Sequence, residues 1–150
     1  ETELGTLIEI NGGKIETQEP NACLRGTQIA VKNLFYNVPA RRKFLKSDNV
    51  EMRHIIDQFE RVAIAHPAIK FTLTHNGSEV FILPEGNMRQ RLIGVFGRKY
   101  NEKLVPLEQE TPLVNISGFV LKPEAAKKTR GEQFFFVNDR KPISEWRGGI

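Results

Sequence analysis

Apolar and polar residues alternate from Gly5 to Ile10, with Leu7, Ile8 and Ile10 set among polar neighbours. Gly12-Gly13 then permits the positive φ of a tight reversal, and Lys14-Ile15-Glu16-Thr17 resumes extended character. This pattern predicts a hairpin, interrupted at Pro20-Asn21. From Gly26, the run Thr27-Gln28-Ile29-Ala30-Val31 predicts a third strand with Ile29 and Val31 on one face. Three short strands with no helix between them cannot bury both faces of a sheet. They are expected to form the edge of a larger sheet whose other strands and covering helices lie outside this chain.

The period then changes. Pro39 suits the first turn of a helix, and Ala40-Arg41-Arg42-Lys43-Phe44-Leu45-Lys46 contains good helix formers. Asp48 stands three residues before Glu51 in a capping-box arrangement, and Met52, Ile55, Phe59, Val62 and Ala63 recur at helical spacing until His66-Pro67. Ile69, Phe71 and Leu73 alternate with polar residues, Asn76-Gly77 fits a type I′ turn, and residues 79–83 complete a second hairpin. Asn87 can cap a helix whose Leu92, Ile93, Val95 and Phe96 face inward, with Gly97 as its stop. Two further strands are expected at 113–121 and 133–138, joined through 122–130, with Glu108 and Glu110 on one side of an exposed strand end. Helix, hairpin, helix, strand, strand is the order of an α+β domain.

Composition narrows the class. The chain has 150 residues, 39% hydrophobic and 27% charged, and no apolar run long enough to cross a bilayer, so a membrane partner is not expected. It starts Glu1-Thr2-Glu3-Leu4 with neither Met nor a secretory leader, as expected of a piece cut from a longer protein. A single cysteine, Cys23, has no partner for a disulfide or a zinc site, which suits a reducing, cytoplasmic setting. His54, His66 and His75 lack metal-ligand spacing, and no P-loop, nucleophile elbow or paired-carboxylate arrangement occurs, so neither a metal site nor a catalytic residue is expected.

The net charge of +4 and pI of about 9.3 become informative only where the charge is concentrated. Lys32, Arg41, Arg42, Lys43 and Lys46 fall in one stretch with no acidic residue, interleaved with Phe35, Tyr36 and Phe44. Two readings fit this cluster: a solvated helix face over buried aromatics, or a surface for phosphates helped by the N–H donors of a helix start. The run Phe134-Phe135-Phe136 also invites two readings, and a central strand buried on both faces explains it better than a stacking platform for single-stranded nucleic acid.

The string Gly26-Thr27-Gln28-Ile29-Ala30-Val31-Lys32-Asn33-Leu34-Phe35-Tyr36-Asn37-Val38-Pro39-Ala40-Arg41-Arg42-Lys43-Phe44-Leu45-Lys46 resembles the signature of the MutL family of DNA mismatch-repair proteins. There a Gly-Thr strand precedes Leu-Phe-Tyr-Asn-x-Pro-Ala-Arg-Arg-Lys-Phe-Leu. The resemblance extends to Phe135-Phe136-Val137-Asn138-Asp139-Arg140, where Asp139 replaces the usual glycine, and lapses over 141–150.

This resemblance implies the C-terminal strands of a GHKL-type ATPase domain over 1–37, followed over 38–150 by a truncated transducer domain of β-α-β, ribosomal-protein-like character. It places Gly26 and Thr27 at the floor of an adenine pocket, and Arg41, Arg42, Lys43 and Lys46 on DNA backbone. ATP and Mg are implied for the intact parent. The family's catalytic Glu and Asn, its Asp-x-Gly-x-Gly loop, its Gly-rich lid and its later γ-phosphate lysine have no counterpart here, so the piece alone is expected to be inactive and to need no cofactor. The implied partners are DNA, a mismatch-recognition protein with other repair proteins, and a second copy of the parent, in a bacterial cytoplasm at the nucleoid. Two alternatives remain: the second domain of a topoisomerase or chaperone sharing this ATPase architecture, or a basic module that binds an acidic protein.

Overall fold

The computed structural model describes residues 3–126 and 133–138. The backbone divides into two compact units, Glu1–Asp48 and Asn49–Ile150.

The first unit is built on an antiparallel hairpin of β1 (Glu3–Asn11) and β2 (Lys14–Cys23). Gly12 and Gly13 turn at φ of 58° and 86°, the positive values that a two-residue loop needs to match strand twist. The ladder runs through Pro20, paired with Thr6, instead of stopping there, because β2 is an edge strand on which proline is tolerated. The register shifts after Glu9, leaving Glu16 as the extra residue of a bulge. The expected third strand is absent: residues 27–32 are irregular, and Ile29 and Val31 stay 82% and 75% exposed. A strand exists only through a neighbour's ladder, and among the described residues none lies beside this one. A left-handed turn at Asn33 and Phe35 then leads into α1 (Pro39–Lys43).

The second unit has a core. Helix α2 (Asp48–Ala65) contributes buried Ala63 and Ile64 and covers the hairpin of β3 (Phe71–His75) and β4 (Ser78–Leu83). Phe59 from α2 stacks on Phe81 at 5.4 Å and meets the edge of Phe71 at 6.1 Å. Alternation holds on this hairpin, since Phe71, Leu73, Phe81 and Leu83 face inward while Thr72, Thr74 and Ile82 are exposed. Asn76 and Gly77, at φ of 50° and 77°, form the expected turn. Asn87 caps α3 (Met88–Phe96) through a complete capping box with Gln90, and Gly97 ends the helix at φ 96°. Gly94 lets α3 approach β4, because a Cβ there would lie 2.9 Å from Leu83 Cδ2.

After a 3₁₀ turn at Arg98–Tyr100, β5 (Leu104–Glu110) pairs antiparallel with β6 (Asn115–Leu121). The partner of β6 therefore precedes it, and Glu108 lies within a paired strand. Thr111 closes the loop, its Oγ1 accepting from Val114 N at 2.9 Å. Residues 133–136 are not the doubly buried strand expected of three phenylalanines. Phe134 and Phe136 are half-buried and Phe135 is 57% exposed. The Phe134 ring packs on Phe96 at 5.7 Å and beneath the Arg61 guanidinium at 5.6 Å, so helix side chains hold it instead of a sheet. Asp139, Arg140, residues 141–150 and residues 127–130 of the 122–130 connection lie outside the described residues.

Candidate nucleic-acid interface

Helix α1 is short because its sequence supplies a start and little else. Pro39 sits in the first turn with its φ preset, and Val38 before it provides no side-chain cap. Arg41, Arg42 and Lys43 form the last turn, where cations complement the exposed carbonyl end of a helix. All three are exposed, as is Lys46. Among the described residues, no carboxylate lies within ion-pair distance of Arg41, Arg42 or Lys43, whereas on α2 Arg61 Nε pairs with Asp57 Oδ2 at 3.1 Å. A guanidinium without an internal acid keeps its fork of donors for an external anion.

The helix start contributes less than the sequence suggested. Arg41 N and Arg42 N both donate to Val38 O, at 3.0 and 3.4 Å, so these backbone donors are already engaged. Any phosphate contact at α1 falls to its side chains.

Gly26 and Thr27 lie on the irregular segment between β2 and the turn, both exposed. A Cβ built on Gly26 meets nothing within 4 Å. The pair thus offers an exposed hydroxyl beside open space, and the described residues provide no walls for a nucleotide pocket there. Two clefts in the second unit, about 210 Å³ beside Arg91 and Gln90 and 250 Å³ beside Met88 and Phe119, fall below the roughly 300 Å³ at which small-molecule pockets begin. Among the described residues, no three His, Cys, Asp or Glu side chains gather as metal ligands would. No described helix is long and apolar enough to cross a membrane.

Two residues with structural roles were not singled out by sequence pattern. Tyr36, noted there as an aromatic among cations and as part of the family string, donates its phenol to Asn11 Oδ1 on the hairpin tip, a long-range pairing without any periodic signature. Arg91, on α3, is 2% exposed. Its spacing from Met88 and Val95 places it on the inward stripe, a signal that its charge masks.

A family model described as DNA mismatch repair protein, C-terminal domain, matches residues 92–144. The DNA mismatch repair protein MutL of Christiangramia forsetii is 62% identical over 138 residues, covering 92% of this chain and 22% of its own length. That of Flavobacterium johnsoniae is 59% identical over 138 residues, covering 92% and 21%. The solved structure of the Aquifex aeolicus MutL ATPase domain complexed with ADP matches with a TM-score of 0.77 at 28% identity, covering 95% of this chain and 54% of that one. Small antiparallel sheets with covering helices in this order are therefore the α+β architecture of the ATPase and transducer region of a mismatch-repair protein. The chain belongs to the MutL family of DNA mismatch-repair proteins. It spans about a fifth of the length of the curated relatives it matches.

Proposed function

We propose that this chain is the part of a mismatch-repair ATPase in which a basic helix meets the DNA backbone while the neighbouring irregular segment borders the nucleotide site. The observation that carries this reading is the exposed, acid-free triplet Arg41, Arg42 and Lys43, set in a string that matches the family signature. Charge of this kind binds phosphates whatever the base sequence, as a clamp that slides on a duplex requires. Lys46, exposed one turn beyond, extends the same surface.

In the intact protein, Gly26 and Thr27 would form part of the adenine-site floor, the hydroxyl supplying a hydrogen bond and the glycine leaving room for the base. Bound ATP with Mg would supply the free energy that orders both domains and favours dimer closure around DNA. The partners on this reading are duplex DNA, a mismatch-recognition protein and a second copy of the parent, in the bacterial cytoplasm. ATP turnover would require groups supplied from elsewhere in the parent, since none of this chain's residues is assigned a catalytic role.

The test is a salt titration of duplex binding by the chain and by its Arg41→Glu, Lys43→Glu double variant. Each lost phosphate contact lowers the slope of log K against log salt by about one unit, so a fall of about two is expected, with affinity weakened for every DNA sequence alike. Unchanged affinity and slope would remove the DNA role from α1.

A further inference from the structure

We propose that Tyr36 is a positioning residue for α1: anchored on the tip of the β1–β2 hairpin, it fixes the direction in which Arg41, Arg42 and Lys43 are presented. The functional consequence rests on the reading of α1 as a DNA-facing element, whereas the positioning itself rests on geometry alone.

Helix α1 cannot orient itself. It has five residues, no side-chain cap and no buried residue, and a single helical turn does not persist in water unsupported. What precedes it is a stack of hydrogen-bonded turns. Tyr36 N donates to Asn33 O at 3.0 Å, Val38 N to Phe35 O at 3.1 Å, and Arg41 N to Val38 O at 3.0 Å, so the direction of the Asn33–Tyr36 turn is passed to the helix. That turn holds Asn33 at φ 51° and Phe35 at φ 62°, left-handed values that are costly for a bulky side chain and persist only where surroundings impose them.

The surroundings act through Tyr36. Its phenol donates to Asn11 Oδ1. Asn11 in turn donates from Nδ2 to Glu16 Oε1 at 2.9 Å, and Glu16 is the extra residue of the β-bulge. The bulge thus provides a carboxylate that orients the amide, and the amide receives the phenol. Gly12 completes the seat, because a Cβ there would lie 3.1 Å from Tyr36 Oη. Removing one oxygen atom from residue 36 should therefore release the turn without disturbing either strand.

The experiment compares the 150-residue chain with Tyr36→Phe, Asn11→Ala and the double variant by hydrogen exchange on the second time scale, together with duplex binding. An exposed hydrogen bond shifts a local opening equilibrium by about two- to tenfold. Exchange over residues 34–45 should accelerate by that factor in each single variant and no further in the double, with the β1–β2 ladder unchanged and duplex affinity reduced by about the same factor. Unchanged exchange over 34–45 in Tyr36→Phe, an equal rise along the β1–β2 ladder, or additive effects in the double variant would each overturn the proposal. If Tyr36→Phe loosens α1 while Arg41→Glu with Lys43→Glu leaves duplex binding untouched, the positioning role stands and the DNA reading falls. If the charge reversal abolishes binding while Tyr36→Phe leaves α1 as it was, the reverse holds.

Discussion

Arg91 shows how a charge can serve as core. Its guanidinium donates to Pro67 O at 2.8 Å, to Pro84 O at 3.1 Å, to Leu83 O at 3.4 Å and to Ile69 O, and lies 5.3 Å from the Phe71 ring centroid. Carbonyls at the end of β4 and in the 67–69 loop are thereby gathered by one planar fork. Burial draws the guanidinium below its ordinary pKa, because desolvation disfavours the charged form. The sign follows: this penalty is fully present below the folded-state value and is relieved only as pH rises through it, at strongly alkaline pH, so Arg91 is charged at neutrality. Replacement by alanine should cost about 3 kcal/mol in chemical denaturation, since four buried or part-buried carbonyls lose a charged donor at once. Lysine should recover less than half of that, as a single ammonium cannot span the same acceptors. A denaturation midpoint unchanged in Arg91→Ala would mean that the carbonyls find other donors.

At the scale of elements, α3 acts as a brace with two arginines on opposite errands. Arg91 grips the β3–β4 side, while Arg89 donates to Asn101 Oδ1 at 3.2 Å and Leu104 O at 3.4 Å and lies 6.0 Å from the Phe119 ring on the β5–β6 side. The start of this brace depends on Asn87, whose Oδ1 accepts from Gln90 N at 2.9 Å while Gln90 Oε1 accepts from Asn87 N at 2.9 Å. Asn87→Ala should destabilise the second unit by about 1 kcal/mol, read as a lower thermal midpoint. Phe59→Ala, which empties the space between Phe71 and Phe81, should cost about 2 to 3 kcal/mol because the ring is half-buried. These elements were legible in the sequence for a common reason: Gly12-Gly13, Asn76-Gly77 and the Asn87 cap act within four residues, where local chemistry decides. The missing strand at 27–31, the precedence of β5 over β6 and the fate of Phe134 all depend on which distant segment lies alongside, and β-rich strings such as Thr27-Val31 or Phe134-Phe136 carry no record of that. The basic string of α1 was legible in the same local sense, whereas the Tyr36 contact that seats it, reaching back to Asn11, was not.

At the scale of the whole chain, the two units differ in how they can be stable. Ala63, Ile64, Leu83 and Tyr100 are buried in the second, together with Arg91. In the first, no described residue is buried, and Leu4, Ile10, Ile15 and Leu24 remain more than half exposed. A two-stranded hairpin without a covered face is marginal in water, and its hydrogen bonds and the Tyr36 contact must then outweigh most of its ordering entropy. Denaturation should therefore proceed in two steps. The first unit should open at low urea with a small dependence on denaturant, because little surface is newly exposed, and the second should follow in a steeper transition. Hydrogen exchange at increasing urea checks this directly, with β1 and β2 amides losing protection before those of α2, β3 and β4. One coincident transition for all five elements would show that the first unit draws its stability from more than its own hairpin. The charge reversal at Arg41 and Lys43 should leave this order unchanged, because neither residue pairs with an acid among the described residues whose loss could destabilise the fold. A weakened duplex affinity in that variant would then report contacts to DNA and not unfolding.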